Sequence, residues 1–329
     1  IYLATDPDRE GEAIAWHLKN EFEKKKLLKG KEVFRISFTE ITSSAIEEAV
    51  KNPREIDQNL VDAYLARRIL DHLIGFKVSP FLWRHISRAK SAGRVQSPSL
   101  RIVCEKEDEI DAFVPEEYWP FKGTFKFNEF KVEANLTSIN GEKIDKKRIE
   151  NEEDAKLVND ELHSSSYFLK DIESKPQSNS SKAPFRTSTL QQAASSKLAF
   201  TADRTMRVAQ KLYEDGLITY LRTDGISISN DILSDLRNFI KTEYGDNYLS
   251  EQTKIYKSKA ANSQEAHEPI RPTDFSLKPS KSKLTGDEMK LYSLIWNRTL
   301  ASQMSNSKYE RKTLVISSSD EKFIFRAAS

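Results

Sequence analysis

The chain has 329 residues, room for two or three domains with a core each. Apolar residues make up 38% and charged residues 31%, with 10% aromatics to fill cores, which excludes wholesale disorder. Lysine and arginine (52) nearly balance aspartate and glutamate (50), and the longest apolar runs, such as Leu217 to Leu221, fall far short of crossing a bilayer.

Ile1 to Ala4 reads as a core strand. It has no initiator Met or signal peptide before it, so the chain reads as an excised piece whose first domain lacks elements. The helix that follows places Ile14, Leu18 and Phe22 on one face. A short strand (Val33 to Phe38) and a helix (Thr42 to Val50) complete an α/β element, closed by Asn52-Pro53. From Leu60 to about Ala112 the period is helical, with Leu60, Val61, Tyr64 and Leu65 on the apolar face, Gly75 as a helix end and Ser79-Pro80 opening the next helix. Charge segregates here: between Val61 and Lys106, Arg67, Arg68, Lys77, Arg84, Arg88, Lys90, Arg94, Arg101 and Lys106 face only Asp62, Asp71 and Glu105, a candidate phosphate-binding surface. Cys104 is the single cysteine, so neither an internal disulfide nor a structural zinc site can form, which fits a reducing cytoplasm.

From Tyr118 the period becomes two, with Phe125 and Phe127, then Phe130, Val132 and Ala134, on either side of an Asn128-Glu129 turn, and a further turn at Asn140-Gly141. Ser174 to Pro184 carries no period and suits a linker. Ser188-x-x-Gln191 reads as a capping box for a helix bearing Leu190, Ala194 and Leu198. A second helix runs to Glu214, stops near Gly216 and leads into a strand from Leu217 to Thr223, a sequence of elements compatible with a winged-helix-like unit. Alternation returns after Lys308 (Leu314, Ile316, Phe323, Phe325), so the chain re-enters the β-rich part.

Three stretches carry chemistry. Asp6-Pro7-Asp8-Arg9-Glu10-Gly11-Glu12 lies between a strand and a helix, at the sheet edge where open α/β folds place ligands. Asp6 and Asp8 share a face if the segment is extended, and hard oxygen donors held this way suit Mg²⁺; the simpler reading is a helix cap complementing the dipole. Tyr220 and Arg222 point the same way in an extended segment. A phenol with a pKa near 10 is ionised only about once in a thousand molecules at neutral pH, and a neighbouring cation favours the phenolate. A tyrosine in an apolar strand is, taken without its context, ordinarily core. Arg67 and Arg68 each stand about one turn from Asp71, and the loop Ser91-Ala92-Gly93-Arg94-Val95-Gln96-Ser97 offers an arginine and a glutamine to a backbone phosphate or base edge. Their ordinary readings are a surface salt bridge and a loop closing two helices. Phe81 and Trp83 could stack on bases, but core packing is the expected use.

The run Thr5 to His17 resembles the Asp-x-Asp-x-Glu signature of the Toprim domain in its type IA topoisomerase form, and Gly216 to Asp224 resembles the active-site tyrosine motif of the same family. Gly225 departs from the serine common after the aspartate. Ala266-His267-Glu268-Pro269-Ile270-Arg271-Pro272 resembles the family's histidine segment, Pro184 to Gln192 the start of its tyrosine domain, and Gly75 to Trp83 with Ser91 to Ser97 the basic helical domain of its bacterial topoisomerase I branch. Topoisomerase III and reverse gyrase are relatives that share the chemistry.

The resemblance implies a multi-domain α/β plus α plus β fold: a partial Toprim domain (1–52), a basic helical DNA-binding domain (53–112), a β-rich arch (113–181 and 306–329) and a catalytic tyrosine domain (182–305). It implies that Tyr220 cleaves one DNA strand and becomes joined to the 5′ phosphate, with Arg222, His267 and Glu10 as catalytic partners. Strand passage and religation would then relax negatively supercoiled DNA without a nucleotide cofactor. Asp6, Asp8 and Glu10 inherit a Mg²⁺ site, which in the family also includes an upstream glutamate and lysine that this chain lacks. Arg35, Arg67, Arg68, Asp71, Ser91, Arg94 and Gln96 inherit contacts to single-stranded DNA. The remaining expectations are a monomer in the bacterial cytoplasm, associated with the nucleoid and not with a membrane. A competing reading of another class is an inert single-stranded-DNA-binding module.

Overall fold

The computed structural model describes residues 1–144, 149–256 and 268–328. The chain divides into two compact units, one of residues 1–99 with 180–306 and one of residues 100–179 with 307–329. Among the described residues no helix is long and apolar enough to cross a membrane.

The first unit opens with a minimal α/β element. Strand β1 (Tyr2–Leu3) pairs in parallel with β2 (Phe34–Arg35), and α1 (Arg9–Lys24) connects them. Helix α1 buries Gly11, Glu12, Ala13 and Ala15, the small-residue side that two short strands can cover. The expected core face is turned outward: Ile14 is 52% exposed and Leu18 40%. Helix α2 (Ser43–Lys51) follows, capped by the Thr42 side chain, and α3 (Gln58–Leu73), capped by Asp57, packs against α1 with Val61 buried. Gly75 does not end the helix. The chain continues through a wider π turn (Ile74–Val78) into α4 (Ser79–His85), whose early Pro80 has no amide hydrogen to leave unpaired. Helix α5 (Gln96–Asp111) runs across the division between units. Phe81 and Trp83, expected in a core, are 58% and 59% exposed. Phe81 lies against His85, and the Trp83 indole N–H donates to the Lys90 carbonyl.

The second unit is a six-stranded sheet. It contains β3 (Lys122–Phe127), β4 (Phe130–Ile139), β5 (Glu142–Lys143) and, after α6 (Glu152–Ser164), β6 (Tyr167–Asn179). Both expected turns are present, with positive φ at Asn128, Asn140 and Gly141. The expected linker is largely strand: Ser174 to Asn179 pair with Lys312 to Ser307. Pro176 is tolerated because β6 lies at the sheet edge, where a missing N–H breaks no ladder.

The tyrosine-bearing part of the first unit is built from α7 (Thr187–Leu198), α8 (Ala202–Glu214), α9 (Asn230–Tyr244) and α10 (Gly286–Gln303). Its core holds Leu190, Leu212, Ile218, Leu236, Ile240, Ile270, Leu291 and Ile295. Helix α7 starts earlier than the expected Ser188 box: its N-cap is Arg186, whose N–H donates to the Thr189 hydroxyl at 3.1 Å. Leu217 to Thr223 is not a ladder strand: Ile218 makes one bridge, to Pro272, and Leu217, Thr219, Leu221 and Arg222 lie in bends. After Asn306 the chain returns to the sheet as β7 (Ser307–Ser318) and β8 (Phe323–Ala328), giving the order β3-β4-β8-β7-β6 with Ile316, Phe323 and Phe325 buried.

Candidate active site and nucleic-acid interface

The acidic loop is held from below by a buried ion network. Glu12 accepts from Arg35 Nε (3.0 Å), from Arg54 Nη1 (2.7 Å) and Nη2 (2.8 Å), and from the Asp57 amide (2.7 Å). Burial pushes the Glu12 carboxyl up, but these donors outweigh it and hold the group below its ordinary value. The Arg35 guanidinium also donates to the carbonyls of Leu3 (3.0 Å), Thr5 (2.9 Å) and Asp6 (2.7 Å) and to that of Ile36. With its side chain 0% exposed, Arg35 cannot touch DNA as expected; it fixes the backbone that carries Asp6. The turn is tight above it as well, since a Cβ on Gly11 would stand 2.1 Å from the Asp6 carbonyl oxygen.

Asp8 caps the helix, as the simpler sequence reading expects, and also meets the tyrosine. One oxygen caps α1, accepting from the Gly11 amide at 2.7 Å, while the other accepts the Tyr220 hydroxyl at 2.6 Å. Tyr220 is 4% exposed, lies edge-on to Tyr213 and donates its amide to the Thr39 carbonyl at 2.7 Å. Burial first, then the hydrogen bond to Asp8, raises the phenol's pKa; Arg222 opposes this and does not prevail. Arg222 thus acts in the expected direction but is outweighed: its Nη1 is 3.8 Å from the same Asp8 oxygen, on a side chain largely in solvent. Tyr220 and Arg222 do converge on one carboxylate.

Two further residues lace the tyrosine segment into place. Thr187, at the start of α7, donates to the Leu221 carbonyl (2.7 Å) and accepts from the Thr223 amide (2.9 Å). Thr219 donates to the Pro269 carbonyl (2.6 Å) and accepts from the Arg271 amide (2.9 Å). Arg271 is buried and pairs with Glu268 and, at 3.0 Å, with Glu40. Pro269 and Arg271 are therefore tied to the tyrosine segment, while His267 lies outside the described residues. Sequence reasoning assigned no role to Glu12, Arg54, Glu40, Thr187, Thr219 or Arg271. A charged residue amid the small buried residues of α1 was the one available signal, at Glu12.

For a divalent cation, the donor chemistry fits at Asp6 and Asp8. Burial, and then the charge of Asp8, raise the Asp6 pKa, crowding that a cation would relieve. Glu10 departs from the expected cluster, accepting instead from Arg67 Nη1 at 2.8 Å. Among the described residues no three acidic, histidine or cysteine side chains converge as a metal site.

Arg67 thus joins the basic helical segment to the acidic loop. Farther along, Asp71 pairs with Arg94 (2.9 Å) and not with Arg67 or Arg68, and Gln96 donates to the Ser91 hydroxyl at 3.0 Å. The Ser91 to Ser97 loop is closed by the Ala92 amide on the Ser79 hydroxyl (3.1 Å) and the Gly93 amide on that of Ser97 (3.1 Å). Arg68 is exposed and makes no ion pair among the described residues.

A tyrosine hydroxyl delivered from a helical bundle onto an α/β acidic loop defines the class, and comparison with known proteins makes it specific. The family model for DNA topoisomerase matches residues 55–329, and that for the Toprim domain matches residues 1–41. DNA topoisomerase 1 of Rickettsia felis is 48% identical over 99% of the chain, and that of Zymomonas mobilis 46% over 95%; the chain covers 44% and 26% of those proteins. Full-length topoisomerase I from Thermotoga maritima matches with a TM-score of 0.74 at 40% identity, over 99% of this chain and 52% of that one. The chain belongs to the type IA DNA topoisomerases, in the bacterial topoisomerase I family. It spans about half the length of the relatives it matches, or less.

Proposed function

We infer that this chain carries the strand-cleaving centre of a bacterial type IA DNA topoisomerase, an ATP-independent isomerase that relaxes negatively supercoiled DNA. The 2.6 Å hydrogen bond from the Tyr220 hydroxyl to Asp8 carries the reading, because it brings a nucleophile from one element onto a carboxylate from another. In the proposed step the phenolic oxygen attacks a DNA phosphorus and gives its proton to Asp8. The bond from phosphorus to the 3′ oxygen breaks, leaving a 5′-phosphotyrosine, and the departing 3′ oxygen takes the proton back from Asp8 to become the 3′ hydroxyl. One phosphoester forms as another breaks, so nothing is oxidised and the reverse attack reseals the strand.

Arg222, exposed beside Asp8, is placed in this reading to neutralise the attacked phosphate, and His267 to hydrogen-bond it. Asp6 and Asp8 would hold Mg²⁺, with Glu10 joining them only on leaving Arg67, and the ion would supply charge neutralisation during resealing and relaxation. Arg67, Arg68, Asp71, Ser91, Arg94 and Gln96 are proposed to guide the single strand, supported by the excess of cations between Val61 and Lys106. Arg35 is left out of that set. We assign the protein to the bacterial cytoplasm, at the nucleoid, as a monomer.

The test is incubation with a labelled single-stranded oligonucleotide followed by denaturation. A denaturation-resistant adduct that vanishes in Tyr220→Phe is expected. Binding without any adduct would favour the inert binding module, and an adduct that persists in Tyr220→Phe would exclude Tyr220.

A further inference from the structure

Helices α7 and α10 border an open groove of about 880 Å³, lined also by Ser181, Lys182 and Phe185. The faces they turn to it are unusual for a helix pair. On α7 the lining residues Thr189, Gln192, Ala193, Ser196 and Lys197 recur at helical spacing, with Leu198 at the helix end, as do Lys290, Ser293, Leu294, Asn297, Arg298 and Ala301 on α10. Apolar residues would be expected on such a seam if it closed a core. A solvated face in a chain with almost as many acids (50) as bases (52) would mix both charges. This groove has four cations, Lys182, Lys197, Lys290 and Arg298, and no carboxylate.

Arg298 is held in place: its Nε donates to the Ala183 carbonyl at 2.8 Å, and its guanidinium lies 4.7 Å from the centre of the buried Phe185 ring. That geometry leaves its remaining N–H groups for a ligand. None of the four cations forms a salt bridge among the described residues; Asp287, which feels the charge of Lys290, is itself paired with Arg204. Hydroxyl and amide donors on both walls complete a lining that suits an extended polyanion.

We propose that the groove between α7 and α10 binds the phosphodiester backbone of a single DNA strand, at a place separate from the Tyr220 hydroxyl. The nature of the ligand rests on the proposed topoisomerase reading. The shape and charge of the groove do not.

The experiment uses the 329-residue chain and a labelled single-stranded oligonucleotide, with affinity measured by fluorescence anisotropy across a salt series. Lys182, Lys197 and Lys290 are exposed, so the triple variant Lys182→Gln, Lys197→Gln and Lys290→Gln removes charge without opening a core. A control variant, Lys25→Gln, Lys29→Gln and Lys31→Gln, removes equal charge from the region after α1. Each neutralised phosphate contributes about 0.7 to the slope of log affinity against log salt for a single strand, so the groove variant should be shallower by about 2. An unchanged slope in the groove variant, or an equal loss in both variants, would overturn the groove. Adduct formation at Tyr220 is read in the same samples: its absence in the unmodified chain defeats the cleavage reading, whereas an adduct with an unchanged slope defeats the groove alone.

Discussion

The Glu12 carboxylate is the charge on which the acidic loop rests, and among the described residues it is the one carboxylate in an ion pair with Arg35. Removing one member of a buried pair leaves the other charge uncompensated, at a cost of about 3 kcal/mol or more, so Glu12→Gln should lower the urea midpoint by a corresponding amount. A change below about 1 kcal/mol would show that the network is not a support. The pH dependence has a definite sign. Because the folded state holds Glu12 below its ordinary value of 4.5, its contribution is complete above that pH and is lost as the pH falls through the lower folded value. The acid limb of the stability curve should therefore be flatter in Glu12→Gln. At this scale the sequence was legible where a residue type has few uses, as with the tyrosine and the paired aspartates. It was misleading at Arg35, because an arginine beside an acidic loop looks the same in sequence whether it faces solvent or, as here, backbone carbonyls.

Elements carry the registration of the tyrosine. Gly216 sits at φ 71°, where a side chain is strained, and a Cβ there would stand 2.6 Å from the Ile41 carbonyl oxygen. Gly216→Ala should cost at least about 2 kcal/mol in denaturant unfolding and reduce adduct yield at a given temperature; unaltered stability and yield would contradict the close approach. By contrast, the Asp71–Arg94 pair is half-exposed, and such pairs contribute under about 1 kcal/mol. Arg94→Ala should barely shift the urea midpoint yet weaken oligonucleotide binding several-fold, and a variant that loses stability but not affinity would make the pair structural. Helices were readable from caps and periods, as at Thr42 and Ser79-Pro80. The strand through Ser174 to Asn179 was not, because its residues have no buried face and their order comes from pairing with a segment more than a hundred residues away. The same holds for the π turn at Ile74–Val78, since widening one turn leaves no mark on composition.

For the molecule as a whole, the central claim is that two distant stretches of chain form one reacting centre. Asp8 and Tyr220 are 212 positions apart, and sequence could announce each motif but not the hydrogen bond between them. The proposed direction of the chemistry distinguishes this centre from a tyrosine that becomes joined to the 3′ phosphate. The most direct test is to incubate the chain with one oligonucleotide labelled at its 3′ end or at its 5′ end, denature it, and map the attached peptide by mass spectrometry. The account predicts that the 3′ label travels with the protein on a peptide containing Tyr220, while the 5′ label is released on a shorter strand ending in an extendable 3′ hydroxyl. Attachment of the 5′-labelled fragment, or linkage to a residue other than Tyr220, would contradict it.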